Sequence, residues 1–203
     1  MNYGQVKDQV LKLLNQYTRA GVPVADTYNN QQDYIERIPG LVNDAMMEIA
    51  TTVRKIPAVL TLASLPQVVV GEQARYELPE DFYQFVSGGV VTTTTGELLH
   101  TNCYATQGRK TLLVPKEEAG NYAISYYRYP TLLSDKPDDK DELDNEPETH
   151  HAIPFYVASF LVSHDDAFLC SLFSNKYADK LANMFAGITA EVRPVDDAYG
   201  FYG

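Results

Sequence analysis

Apolar residues recur along the chain at two different periods, and the switch between them divides it. Val6, Val10, Leu13, Leu14 and Tyr17 fall on one face of a helix over 4–20, closed by Gly21-Val22-Pro23. Ile35, Ile38, Val42, Ala45, Ile49 and Val53 predict a second helix, ended by Lys55-Ile56-Pro57. Pro39 lies inside that pattern. It lacks an amide donor and crowds the preceding turn, so a kink or restart is expected there, with Pro39 in a first turn.

From about 58 to 134 the runs become short and β-branched. Gln67-Val68-Val69-Val70, Val90-Val91-Thr92-Thr93-Thr94-Thr95 and Thr111-Leu112-Leu113-Val114 read as strands bounded by Gly, Pro or Asn. The clearest strand is 121–129, with Tyr122, Ile124, Tyr126 and Arg128 on one face. Leu78-Pro79-Glu80-Asp81-Phe82 reads as a turn between two strands. Residues 135–148 then carry eight acids against two lysines, with Leu143 the one large apolar residue. Such a segment cannot bury itself and is expected to be an exposed, mobile loop.

Helical spacing returns at Ile153, Tyr156, Val157, Phe160 and Leu161. It returns again at Leu169, Phe173, Tyr177, Leu181, Met184 and Ile188, with Asp165 or Asp166 as cap and Gly187 as the stop. The expected fold class is α+β. A mainly helical bundle forms from 1–57 and 147–188, with an antiparallel β-rich insertion at 58–134, an acidic loop at 135–146 and an extended tail at 189–203. Helices at the two ends of a chain bury their apolar faces most economically on one another.

Composition narrows the function. In 203 residues, 16 Lys and Arg face 27 Asp and Glu, a net charge of -11. Binding to a phosphate backbone rests on clustered cations, so nucleic-acid recognition is disfavoured. The start of the chain has no basic region followed by an apolar run, so no secretory leader is expected. No stretch approaches the roughly 18 apolar residues of a membrane span. Fifteen tyrosines with no tryptophan suit an interface role, because the ring is apolar and its tip polar, although tyrosine is also common in ordinary strands.

Chemistry-bearing residues do not assemble into a catalytic pattern. His150 and His151 are adjacent and point apart on a helix, unlike a metal-binding i, i+4 pair. His100 and His164 stand alone, and Cys103 and Cys170 form no C-x-x-C. His164-Asp165-Asp166 reads as a helix junction with capping carboxylates. Cys170, among apolar helix neighbours, reads as a buried inert thiol. No nucleophile elbow or phosphate-cradling glycine motif is present. No catalytic residue, metal or cofactor is expected, and the chain does not read as an enzyme.

Four stretches nevertheless carry a resemblance. Asp33-Tyr34-Ile35-Glu36-Arg37-Ile38-Pro39-Gly40-Leu41-Val42-Asn43-Asp44-Ala45 resembles the second helix of bacteriophage head-to-tail adaptor proteins. Tyr76-Glu77-Leu78-Pro79-Glu80-Asp81-Phe82 looks like the turn of their β-insertion. Tyr126-Tyr127-Arg128-Tyr129-Pro130-Thr131-Leu132-Leu133 is similar to the segment that closes the insertion. Glu146-Pro147-Glu148-Thr149-His150-His151-Ala152-Ile153-Pro154-Phe155-Tyr156-Val157-Ala158 is similar to the one that opens the third helix.

The resemblance implies a structural component of the virion neck, assembled in the host cytoplasm. Its copies would form a cyclic ring, of ~12 in such adaptors, each contacting the next heterologously. The ring would sit beneath the portal protein, extend the DNA channel, and bind a tail or second adaptor component below. Genomic DNA would pass through without specific binding, repelled by the negative charge. No membrane partner is implied. In this family the C-terminal segment grips the portal, which maps here onto 189–203 with Tyr199, Phe201 and Tyr202 as anchors. The acidic 135–148 stretch departs from the family pattern. The alternative class is a non-enzymatic tail or neck module that recognises another virion protein or a host glycan through surface tyrosines.

Overall fold

The computed structural model describes residues 1–14, 29–62, 68–70, 73–86, 91–93, 105–108, 110–116 and 122–186. The elements run in order as α1 (Tyr3–Leu13), α2 (Asn29–Glu48), a π-helical turn (Ile49–Val53), β1 (Ile56–Leu62), β2 (Val68–Val70), β3 (Gln73–Glu77) and β4 (Phe82–Phe85). They continue as β5 (Val91–Thr93), β6 (Ala105–Gln107), β7 (Thr111–Pro115), β8 (Tyr122–Arg128), a 3-10 turn (Pro147–His151), α3 (Ile153–Leu161) and α4 (Ala167–Ala186). The fold is α+β. Two compact units divide it: Met1–Ala45 with Leu133–Gly203, and Met46–Leu132.

In the helical unit, α1 starts earlier and stops earlier than its apolar spacing predicts. Asn2 and Gln5 form a reciprocal capping box, each side chain accepting the other's backbone N–H. Leu14 already caps the other end, and Tyr17 lies outside the described residues. Val6 and Val10 are fully buried, and α3 packs against both α1 and α4. Ile153, Val157, Ala158 and Leu161 fill the α3 side of the core, and Phe173 and Tyr177 the α4 side. Leu169, Leu181 and Met184 are only half-buried. Asp166 caps α4, accepting the Leu169 N–H at 2.9 Å. The predicted Gly187 stop lies outside the described residues.

Helix α2 corrects the proline reading. It begins at Asn29 and runs unbroken through Pro39, which is buried in mid-helix rather than set in a first turn. The Ile35 carbonyl therefore has no proline N–H to receive, and burial of Ile38 and Val42 on either side holds the helix together across the gap. Beyond Glu48 the ladder loosens into the π turn. There the Thr51 hydroxyl donates to the Met47 carbonyl (2.8 Å) and the Thr52 hydroxyl to that of Glu48 (2.7 Å). The helical run ends at Val53, just before Lys55-Ile56-Pro57, and Pro57 itself sits inside β1.

Among its described residues the other unit holds two four-stranded antiparallel sheets. In the first, β8 pairs β1 along one edge and β4 then β5 along the other. The second has the order β2-β3-β7-β6. Residues that share a face follow from the register: Ala74 opposes Val114 and Tyr76 opposes Leu112. These four are buried with Leu78, Phe82, Ile124 and Tyr126 in a single core, against which Ala58, Leu60 and Phe85 pack. A bulge between Phe82 and Gln84 breaks the β4–β8 register.

Candidate functional site

The residues singled out by sequence prove to be mainly architectural. Leu78-Pro79-Glu80-Asp81-Phe82 is a turn, closed by the Phe82 N–H on the Pro79 carbonyl (3.0 Å). It is tied to its surroundings at both ends. The Leu78 N–H donates to the Lys110 carbonyl, and the Tyr129 N–H to the Asp81 carbonyl, each at 2.8 Å. The Tyr126 hydroxyl donates to Asp81 Oδ1 at 3.2 Å, while burial and the Asp81 carboxylate push its pKa up. Phe82 stacks on Tyr126, with ring centroids 5.6 Å apart. Arg128 donates to the Tyr129 carbonyl and Pro130 is buried, so both fix the chain where it leaves β8. Beside this turn lies a cleft of about 590 Å³ lined by Leu78, Pro79, Phe82, Lys110 and Tyr129 among others.

Tyr127, on the opposite face from Tyr126, is half-buried with the Lys55 ammonium 5.3 Å from its ring centre. In the helical unit Ile38 and Pro154 are buried, and Pro147 opens the 3-10 turn. One residue whose role sequence reasoning missed is Asn43. Its side-chain amide donates to the Leu133 carbonyl (2.9 Å) and accepts the Leu133 N–H (2.8 Å), as a neighbouring strand would.

The acidic segment corrects the expectation of an undocked loop. Most of its carboxylates are exposed, but its backbone is fastened to α1. The Tyr3 N–H donates to the Asp141 carbonyl (2.8 Å) and the Gly4 N–H to that of Asp139 (3.0 Å). Asn2 and Glu142 form an isolated bridge, Lys7 pairs with Asp139, and Leu143 is 5% exposed. Burial, aided by Asp139, raises the Tyr3 pKa to about 12. His150 is buried, with Nε2 on the Asn145 carbonyl at 2.9 Å, and burial pushes its pKa down. His151 and His164 are exposed. Among the described residues no three His, Cys, Asp or Glu side chains gather as a metal site would require. No described helix is long and apolar enough to cross a membrane. Cys170 is half-buried against the α3–α4 core rather than sealed within it. His100, Cys103, Tyr199, Phe201 and Tyr202 lie outside the described residues.

Surfaces therefore carry more information than clefts. The large apolar side chains exposed among the described residues are Val59 on β1, Leu132, and Phe160, Phe168 and Leu172 around the α3–α4 corner. Charge is divided unevenly as well. Residues 46–132 contain seven Lys and Arg against eight Asp and Glu, so of the total of -11 the rest of the chain carries -10.

Among curated proteins, no match is found. The sequence model of one family, described as SU10 adaptor protein, matches residues 1–197, which takes in both units. The chain therefore belongs to the SU10 adaptor protein family and is a structural adaptor component of a bacteriophage virion.

Proposed function

We infer that this adaptor forms a cyclic ring in the virion neck, between the portal and the tail, and extends the channel through which DNA passes. The family match across both units carries this reading. Two physical features support it. Exposed apolar side chains occur on both units, and a subunit that contacts the next one heterologously needs two different sticky surfaces. A net charge of -11 per copy, multiplied around a ring of ~12, repels a polyanion and lets DNA slide past. The role is one of joining, without catalysis.

On this reading, residues 189–203 grip the portal through Tyr199, Phe201 and Tyr202, because aromatic side chains make effective anchors in partner pockets. A tail or second adaptor component binds the opposite side of the ring. Co-expression with the portal, followed by electron microscopy of the purified complex, tests the placement. Rings of this chain coaxial with the portal are expected. Deleting 190–203 should leave the thermal stability of the free subunit unchanged and abolish portal capture. A truncated subunit that melts lower yet still joins the portal overturns the assignment of the tail.

A further inference from the structure

Strand β1 and its neighbour β8 present two faces of opposite character. Ile56, Ile124 and Tyr126 point inward and are buried. The register places Pro57 opposite Tyr127, Val59 opposite Ser125 and Thr61 opposite Ala123 on the outer face. Pro57, Val59 and Thr61 are exposed, and Val59 is 71% accessible. None of these six residues is charged. Solvent-facing sheets ordinarily carry charges that discourage association, and this pair of strands has none on its outer side. A cation does stand nearby, Lys55 against the Tyr127 ring.

A second surface of matching chemistry lies on the helical unit. Phe160 lies in the last turn of α3, and Phe168 and Leu172 lie one turn apart at the start of α4, so all three stand at the end of the helix pair where the chain passes from α3 to α4. Phe168 is 74% accessible. Asp165, exposed in the connection just before Phe168, supplies a carboxylate beside the apolar side chains.

We propose that the uncharged outer face of β1 and β8 in one copy receives the Phe160, Phe168 and Leu172 corner of the next copy. Three observations select a second copy of this chain as occupant, and this pairing over a symmetric one. Both apolar surfaces belong to the same chain but to different units. Two helical units brought face to face would each bring a charge of -10, whereas the β-unit carries -1. Lys55 beside the sheet answers the exposed Asp165 beside the helix corner. A contact between two different faces is heterologous and repeats from copy to copy, which is the kind of contact a cyclic ring is built from. The inference deepens the ring reading and rests on it.

The test uses the full-length chain with Val59→Asp and Phe168→Asp, both at exposed positions where the fold tolerates a charge. Sedimentation of the wild-type chain should show concentration-dependent association. Each variant alone should associate at least about tenfold more weakly. Because each variant retains the surface that the other has lost, an equimolar mixture should restore a species of two chains and nothing larger. Leu132→Asp, at an exposed apolar position outside both surfaces, should associate as wild type does. Circular dichroism confirms that the variants are folded.

A wild-type chain that remains monomeric at about millimolar concentration, where even weak contacts register, overturns the proposal. So does a folded single variant that associates normally, or a mixture that stays monomeric. If Val59→Asp associates normally but loses capture by the portal, the sheet face belongs to another virion protein. Portal capture by the wild-type chain is scored separately, so failure of this contact is distinguishable from failure of the adaptor reading.

Discussion

Replacing Gly4 by alanine isolates the docking of the acidic segment. Gly4 lies in the first turn of α1, where exchange of glycine for alanine ordinarily gains up to about 1 kcal/mol of helix stability. Here the added methyl would lie 2.9 Å from both Cβ and the carbonyl oxygen of Asp139, closer than such atoms approach. The segment must move away. Two backbone hydrogen bonds are then strained or lost, those of Tyr3 to Asp141 and Gly4 to Asp139. At about 0.5–1.5 kcal/mol each they amount to roughly 1–3 kcal/mol. The Lys7–Asp139 pair adds at most about 1 kcal/mol, because the Asp139 side chain is 63% exposed and screened. After a helix-propensity gain of about 1 kcal/mol is set against these losses, a net destabilisation of about 0–3 kcal/mol remains. Urea unfolding should show a midpoint lower by roughly 1 M at typical slopes. Limited proteolysis at Lys136 and Lys140 should accelerate in the variant. If Gly4→Ala instead stabilises the chain, and the two lysines are cut no faster than in wild type, the segment is not held against α1 and the reasoning fails.

Three further outcomes follow from the packing. Ile124→Ala empties a fully buried position on β8 between β1 and β5, and should cost about 2–5 kcal/mol in chemical unfolding; a loss below about 1 would place Ile124 outside the core. Asn43→Ala removes both bonds to Leu133, depriving its N–H and its carbonyl of these partners, for a loss of about 1–3 kcal/mol by the same measurement. His150 binds its proton less readily in the folded chain than in the unfolded one, whose ordinary value is 6.5. Its contribution is therefore full above that value and is lost as pH falls below it, since the unfolded chain then takes up more protons. Stability measured between pH 7 and pH 5 should decline, and a His150→Gln chain should decline less; parallel profiles would remove His150 as the cause.

Where the fold was legible in the sequence, side chains dictated it. Ile153, Val157 and Leu161 marked the buried face of α3, Asp166 its successor's cap, and Ile124 with Tyr126 the inward face of β8. The misread positions are those where backbone chemistry or tertiary context prevails. Pro57 signals a break, yet β1 pairs only with β8 among the described residues, and a strand so placed has one edge on which a missing N–H costs nothing. The acidic segment has side chains that belong in water, but peptide groups that any sequence possesses hold it to α1. Asn43 sits in a helical stretch of unremarkable polarity, and nothing local announces a partner 90 residues away.

The Asn43–Leu133 clasp bears on how such a protein can be remodelled. It joins the point where the chain is about to leave the helical unit to the point where it returns, so everything between forms a loop with its two ends pinned together. The entropy of closing a loop grows only with the logarithm of its length, about 0.6 kcal/mol per doubling. The intervening module can therefore be halved, doubled or exchanged for one of unrelated sequence with little penalty to the helices, provided the replacement folds by itself. Recombination between lineages has in this architecture a natural cassette, bounded at both ends by one asparagine's amide.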